Sequence, residues 1–274
     1  MLQRLKLPDN MDGKAWLYAN PAGANRRHHH VELELNLVTH GTGTYLLGNR
    51  QYRIRRGDLL WLFPAQEHVL FEQTPDFQMW IVVFRRRLIR RSAVDTASLP
   101  LLQRNFSGDT CRRLSQHQLT RFEELFVGLA ESTDEPGLLN ASLAYTLLHA
   151  WKCFEKAGKV PVRNVHPGVE STARLLLSDQ NSYSLSQLAS RASLSPSRLS
   201  RLFKQQTGLS IVQFRNRQRM QRFLDHYEVS AERGKCTLLE ASLAAGFGSY
   251  PQFHRVFRQI TGCSPAEYRR RDRP

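Results

Sequence analysis

The chain has 274 residues, of which 41% are hydrophobic, and it carries a formal net charge of +15. This length is enough for two domains with separate cores, and the composition excludes a disordered chain. No apolar run approaches the roughly 20 residues of a membrane-spanning helix, and no secretory signal is recognisable at the N-terminus. Because the four cysteines show no paired spacing, we expect a cytoplasmic protein with free thiols and no membrane partner.

The N-terminal part of the chain contains short segments with the pattern of β-strands. Residues 31–38 alternate between apolar and polar side chains, and glycine turns separate the segment 44–47 from 51–54. Further apolar segments follow at 59–63 and 77–84. Short strands at close spacing, with Gly and Pro turns between them, are typical of a β-sandwich or a small barrel.

Histidine and glutamate side chains accompany the first of these strands. His28, His30 and Glu34 have the same parity, so an unbulged strand projects all three from one face. Their spacing, followed by His68 after a second glycine-containing segment, resembles the two sequence motifs of the cupin barrel. The resemblance implies an effector pocket lined by these four residues. Three imidazoles and a carboxylate also suit a divalent metal, which stays open as the alternative occupant, although we expect no required cofactor.

Three aromatic residues of the same region, Tyr45, Trp61 and Phe63, are candidates for lining the mouth of the barrel. The alternative is that they belong to the core, as strand aromatics more often do. A shift of one residue in register exchanges the two faces of a strand, so both interpretations stay open.

Two amphipathic helices are predicted after the strands, over 116–130 and 138–156, because apolar residues recur there at helical spacing. The resulting helical hairpin either packs against the barrel or carries a dimer interface. Residues 157–168 contain glycine and proline and are predicted to form an interdomain linker. An opening helix of the next domain is expected over 169–177.

The C-terminal region contains the same local pattern twice, over 185–204 and 239–258. Each copy predicts a short helix, a tight turn and a second helix capped by a serine, Ser195 in the first copy and Ser249 in the second. Gly246 is suited to a left-handed turn. Two such helix-turn-helix units are typical of proteins that enter the DNA major groove. The periodicity of the first helix of each copy predicts an inward face made of Leu185, Leu188, Ala189 and Ala192, and then of Leu239, Leu243 and Ala244.

The segment 184–268 resembles the AraC-type transcription regulators. The runs 199–208, 245–258 and 262–269 carry the resemblance. One departure is Ser193, which stands where the family often has glycine in the first turn and would adopt a positive φ at some cost. Carried over by motif position, the candidates that face the groove are Ser197, Arg198, Ser200 and Arg201 in the first unit and Tyr250, Gln252, His254 and Arg255 in the second.

The distribution of charge agrees with DNA binding. Residues 165–274 contain 17 Lys and Arg against 8 Asp and Glu, a net charge of +9. Such a field attracts phosphates and makes the affinity fall with salt concentration. We expect Arg201 and Arg255 to contact guanine edges and Arg217, on the helix joining the two units, to contact phosphate. Lys204 and Arg258 complete the predicted DNA-facing set.

Together these patterns predict an α+β chain with a cupin-like effector-sensing barrel over 1–92, a helical connector with a dimerisation role over 93–160, and a double helix-turn-helix domain over 165–274. The resemblance implies a sequence-specific, DNA-binding transcription regulator that senses a small molecule. The resemblance further implies an activator that forms homodimers and contacts RNA polymerase. The alternatives are a metal-dependent cupin enzyme fused to a DNA-binding domain and a constitutive regulator with a non-sensing barrel. We favour a regulator that is not an enzyme, because no P-loop, CxxC pair or HExxH motif supports catalysis.

Overall fold

The computed structural model describes residues 7–19, 32–64, 66, 68–178, 183–231 and 237–271. The chain divides into two compact units, and the second unit begins at Val165. In the described part of the chain, the β-strands belong to the first unit and the second unit is helical. The expected α+β class is therefore confirmed.

The strands of the first unit form two antiparallel sheets. One sheet has the order β1-β7-β2-β5-β8-β9, and the other has the order β10-β4-β3-β6. The strands are β1 (Gly13–Ala19), β2 (Leu33–His40), β3 (Thr42–Leu47), β4 (Arg50–Arg55), β5 (Asp58–Leu62), β6 (His68–Phe71), β7 (Gln78–Phe84), β8 (Cys111–Arg113), β9 (Gly158–Lys159) and β10 (Val162–Asn164).

The six-stranded sheet is buried on both faces. One face packs against the four-stranded sheet, and the side chains of this inter-sheet core include Val38, Leu60, Ile81, Tyr52 and Leu70. The other face packs against helices, through side chains that include Leu35, Leu37, Leu59, Trp61 and Val82. A strand that is buried on both faces tends to have a nearly continuous apolar sequence, as β5 and β7 do.

The three aromatic candidates for the barrel mouth are divided between these two cores. Tyr45 lies in the inter-sheet core. Trp61 instead faces the helices, with its ring 5.8 Å from that of Trp151, and Phe63 stacks on Phe106 at 5.1 Å. The expectation of a shared pocket is therefore wrong for Trp61 and Phe63, which belong to the core as the alternative proposed.

In its described residues the first unit also contains the α-helices α1 (Arg86–Ser92), α2 (Gln116–Glu131) and α3 (Pro136–Lys156). Ser115 starts α2 with a capping box, because its hydroxyl accepts a hydrogen bond from the backbone of Gln118 while the Gln118 side chain accepts one from the Ser115 backbone. The apolar stripe of α2 is buried in the helix-facing core through Leu119, Phe122, Phe126 and Leu129. The hairpin of α2 and α3 thus packs on the sheet, the first of the two alternatives for it.

The segment predicted as a linker belongs largely to the first unit. Strand β9 pairs with β8 at the edge of the six-stranded sheet, and β10 pairs with β4 at the edge of the other sheet. Val160, between these two strands, is buried in the inter-sheet core. Gly158 and Pro161 therefore accompany a crossing of the chain from one sheet to the other, and only Val165 and His166 separate the last strand from the next helix.

The helices of the second unit are α4 (Pro167–Ser178), α5 (Leu185–Arg191), α6 (Pro196–Thr207), α7 (Ile211–Ala231), α8 (Leu238–Ala244), α9 (Tyr250–Thr261) and α10 (Pro265–Arg271). The long α7 contacts α4, then α6 of the first helix-turn-helix unit, and α8 and α9 of the second. A search of the described residues finds no helix with the length and hydrophobicity that a membrane crossing needs.

Candidate functional site

The first helix-turn-helix unit is made of α5 and α6, and its caps follow the prediction. Of the predicted inward face of α5, Leu188 and Ala189 are buried, whereas the prediction is wrong for Leu185, which is 40% exposed at the first position of the helix. The Ser195 hydroxyl accepts a hydrogen bond from the Arg198 backbone N–H, and Pro196 opens α6. Leu199 and Phe203 are fully buried and fix α6 against the rest of the unit. Ser193 has a φ of +53°, the positive value expected where the related sequences often have glycine.

The second unit, made of α8 and α9, starts one residue earlier than its apolar pattern indicated. A capping box between Thr237 and Glu240 sets the start of α8 at Leu238. Ala241 and Ser242 of α8, and Ala245 at its C-cap, are the buried residues of this segment. The predicted inward face is wrong, since Leu239 and Leu243 are 47% and 48% exposed and Ala244 is also exposed. The small residues Ala241 and Ser242 face the core here because α8 lies close to α7.

Helices α6 and α9 are the second helices of the two units, and we call them the recognition helices. They end with the same local structure. The Thr207 hydroxyl donates to the Phe203 carbonyl and accepts from the Leu209 backbone, and Thr261 makes the equivalent pair of bonds. Each helix then stops at a glycine with positive φ, Gly208 at +74° and Gly262 at +77°. Matching these ends places Arg201 at the same helical position as Arg255, and Lys204 at the same position as Arg258.

The candidates for the groove lie on the outer faces of these helices. Ser197, Arg198, Arg201 and Lys204 on α6 are exposed, as are Arg255 and Arg258 on α9. Ser200, Tyr250, Gln252 and His254 are half-buried. The structure thus brings together the predicted residues of each unit on one helix face, with cations at matched positions.

Two of the half-buried candidates also support the second turn. The side-chain carbonyl of Gln252 accepts a hydrogen bond from the Gly248 backbone at 3.0 Å. The Tyr250 ring packs on the core residue Phe253 at 5.7 Å and lies 6.4 Å from the His254 ring. These contacts hold the start of α9 in place, and the sequence pattern gave no signal of this role.

The connecting helix α7 carries an arginine whose contacts within the protein the sequence did not predict. Arg217 is half-buried on α7. Arg215 lies on another face of the helix and donates a hydrogen bond to the Tyr183 carbonyl at 2.5 Å, immediately before α5 begins. Arg191 reinforces the same corner, with its guanidinium 4.8 Å from the centre of the Tyr183 ring. Arg215 therefore acts within the protein as a tie between α7 and the first helix-turn-helix unit.

The interior between the two sheets of the first unit carries a polar group. Asn36 donates a hydrogen bond to the Tyr45 hydroxyl at 2.9 Å across the sheets. Glu34 has the same parity on β2 as Asn36 and is 3% exposed, so its carboxylate faces the same interior. Burial and the charge of Glu34 raise the pKa of Tyr45 well above its ordinary value, so this hydroxyl stays protonated. Tyr45 was a predicted candidate for this pocket. Asn36 was not, although an amide within a buried apolar strand is a usable signal.

His68 faces the same interior, since its ring lies 6.2 Å from that of Tyr45. Its Nδ1 is 3.1 Å from the Gln66 carbonyl oxygen, an arrangement that orients the ring and turns Nε2 away from the bond. Of the four predicted pocket residues, His28 and His30 lie outside the described residues. The described residues contain no group of three or more His, Cys, Asp or Glu that could hold a metal ion, so a metal would depend on the histidines outside them.

Comparisons with known proteins match both units. Residues 17–148 match the AraC-like ligand binding domain, and residues 188–271 match a helix-turn-helix domain. The arabinose operon regulatory protein of Salmonella typhimurium is 29% identical over 86% of this chain and 82% of its own length. The transcriptional activator RhaR of Cronobacter sakazakii is 26% identical over 91% of this chain and 88% of its own length. A solved structure of ToxT from Vibrio cholerae aligns with 96% of each chain at 12% identity and a TM-score of 0.42.

Proposed function

The chain belongs to the AraC-type transcription regulators, and we propose that its two recognition helices, α6 and α9, bind successive major grooves of one operator. The proposal rests on the matched, exposed positions of Arg201 and Arg255 on two helices with the same caps and ends. Arginine contacts the O6 and N7 atoms of guanine with two hydrogen bonds, worth about 1–3 kcal/mol of discrimination. The remaining exposed cations, Arg198, Lys204 and Arg258, contact phosphates and supply affinity.

The test is to identify the operator by genome-wide footprinting and then to compare variants on it. Arg201→Ala and Arg255→Ala should each reduce the preference for the operator over scrambled DNA roughly tenfold or more. Arg217→Ala tests a phosphate contact on its face of α7: weaker specific and nonspecific binding alike, with a flatter salt dependence, would assign that contact to Arg217. Arg174→Ala is the matched control, because Arg174 is an exposed arginine of the same unit that belongs to α4 and forms an ion pair with Glu170 there. Unchanged operator preference in Arg201→Ala would overturn the base-reading role.

For the sensing unit, we propose a small polar effector held between the two sheets by Glu34, Asn36, Tyr45 and His68, with His28 and His30 as further candidates. A ligand switches a regulator only if it binds one state better than another. Purified protein should therefore gain thermal stability with the effector found in a metabolite screen. Asn36→Leu, which removes the inter-sheet hydrogen bond, should lose that gain and keep basal operator binding.

A divalent metal is the alternative occupant of the same interior. Imidazole and carboxylate groups are the ligands that such a metal prefers. Elemental analysis of the purified protein decides between the two occupants. Stoichiometric metal that is lost in His30→Ala would assign a metal site, and metal-free protein that still responds to the effector would assign a purely organic ligand.

We also propose a homodimer formed through the hairpin of α2 and α3, whose outer face exposes Val127, Leu138 and Tyr145. Exposed apolar side chains on neighbouring helices suit a second copy of the same surface. Replacing Val127 and Leu138 by glutamate should convert dimer to monomer in light scattering. We place this activator in the cytoplasm, with RNA polymerase as its partner at the promoter, and transcription from the operator with purified polymerase tests that role.

A further inference from the structure

Three arginines on the connecting helix lie along one face of α7. Arg215, Arg219 and Arg222 are spaced at i, i+4 and i+7, which places their side chains in one row. All three are half-buried. Arg215 is held by the Tyr183 carbonyl, as described above. The other two extend towards the second helix-turn-helix unit.

Arg219 and Arg222 lie against the turn between α8 and α9. A Cβ atom at Gly246 would lie 3.8 Å from Nε of Arg219 and 3.9 Å from Nη1 of Arg222. Gly246 is four residues before Tyr250, the first residue of α9. Four residues span at most about 14 Å, so these two guanidinium groups lie close to the end of the recognition helix that carries the base-reading candidates.

Within the part of the chain that the structure describes, Arg219 has neither a hydrogen-bond acceptor nor an acidic partner. Burial lowers the pKa of Arg219, and the like charges of Arg215 and Arg222 lower it further. The guanidinium nonetheless stays charged at neutral pH. A half-buried cation beside two others is destabilising unless an anion compensates it.

We propose that Arg219, with Arg222 beside it, binds a phosphate of the DNA backbone between the two major grooves and thereby positions the second recognition helix. This inference rests on the proposed function, because a duplex that contacts both α6 and α9 must pass α7, which joins them. Arginine binds phosphate with two parallel hydrogen bonds, so the contact fixes orientation as well as adding affinity. Arg219 is then a positioning residue that does not contact a base. Arg217 lies about 160° round α7 from Arg219, so a duplex against this row cannot also contact Arg217, and the two phosphate contacts are alternatives that the salt slopes of the two variants distinguish.

The inference predicts opposite effects of one substitution on free and DNA-bound protein. Arg219→Met removes the charge and keeps an aliphatic stem at the same position beside Gly246. The thermal midpoint of the helical unit, measured by calorimetry on the full chain, should therefore rise. Operator affinity at physiological salt should fall about tenfold, and the slope of log affinity against log salt should lose about one unit. Arg219→Lys should keep most of the slope.

Two controls make the result specific. Arg215→Met should lower the midpoint, because it loses the bond to Tyr183. Arg174→Met should leave the slope unchanged. A lower midpoint and an unchanged slope in Arg219→Met would overturn the inference and leave Arg219 a structural residue. Wild-type protein that binds no promoter fragment at low salt would instead overturn the proposed function itself. Stabilisation of wild-type protein, but not of Arg219→Met, by millimolar inorganic phosphate without DNA would assign a free-anion site and overturn the assignment to DNA.

Discussion

Ser193 and Gly246 occupy equivalent positions in the turns of the two helix-turn-helix units. Both residues end a helix with positive φ, +53° at Ser193 and +91° at Gly246, and each turn is closed by equivalent backbone hydrogen bonds. A residue with a Cβ atom is strained in this conformation by about 1–2 kcal/mol, whereas glycine adopts it freely. The first turn therefore stores strain that the second turn does not.

Ser193→Gly should stabilise the first helix-turn-helix unit. Relief of about 1–2 kcal/mol of strain exceeds the roughly 0.4–1 kcal/mol that the added freedom of the unfolded chain costs. The net gain should be about 0.5–1 kcal/mol in the opening free energy of α5 and α6, measured by native-state hydrogen exchange. Ser193→Ala keeps the Cβ atom and should show no gain. An equal gain in both variants would show that the strain argument does not hold.

At the scale of whole elements, the sequence predicts the features that depend on residues close along the chain. It fails for the features that depend on tertiary packing. The caps of α6 and α9 follow from serine residues that bond within their own turn, so Ser195 and Ser249 were predicted correctly. The inward face of α8 is made of small residues packed against α7, so the pattern of leucines predicted the wrong face there. Both faces of β5 are buried, so no alternation in its sequence could assign Trp61 to one core.

The segment before β1 makes contacts with α1 that the sequence pattern did not predict. The segment before β1 is held by arginines of α1, because the buried carboxylate of Asp12 accepts hydrogen bonds from Arg87 and Arg91. Arg85 adds a bond to the Leu7 carbonyl at 2.6 Å. Strand β1 and helix α1 were both absent from the sequence prediction. No prediction was made for the arginines of α1, since a partner 75 residues earlier gives no local signal.

Asp12→Asn should destabilise the first unit in a pH-dependent way. Burial raises the pKa of Asp12, but the hydrogen bonds and charges of Arg87 and Arg91 outweigh it and hold the pKa below the ordinary 3.8. A lowered folded pKa gives stability that is present above about pH 4 and lost as the pH falls through the folded value. The cost at neutral pH should be about 1–2 kcal/mol, because both arginines are half-exposed and screened by solvent.

The measurement is urea unfolding followed by tryptophan fluorescence, which reports the first unit because Trp16, Trp61, Trp80 and Trp151 all lie in it. The difference between wild type and Asp12→Asn should shrink as the pH is lowered below 4. Asp9→Asn is the matched control, since its backbone carbonyl rather than its carboxylate accepts from Arg87. A difference that is constant with pH would show that the ionic contact is not its source.

At the scale of the whole molecule, two units with different tasks are joined in one chain. The first unit encloses a polar interior between apolar sheets, and the second carries matched cations on two helices around α7. The double pattern of the second unit was predictable because each copy is a short, locally specified segment. The polar interior was only partly predictable, since Asn36 and Tyr45 meet across two sheets and not along the sequence.

The length of α7 leads to a prediction about the operator. A helix of 21 residues is about 31 Å long and rigid, so it fixes the separation of α6 and α9. Two recognition helices held in this way should read half-elements about 10 base pairs apart, one helical turn of DNA. Inserting 5 base pairs between the half-elements rotates one of them to the opposite side of the duplex, and the preference for the operator should fall to the level of a single half-element.

Insertion of 10 base pairs is the informative companion experiment. It restores the rotational phase but lengthens the separation by about 34 Å, which a rigid α7 cannot span. Both insertions should therefore lose operator preference in gel-shift competition, whereas an unaltered spacer with scrambled sequence should keep it. Recovery of binding with the 10-base-pair insertion would mean that the two helix-turn-helix units move independently, and the role of α7 as a fixed spacer would be wrong.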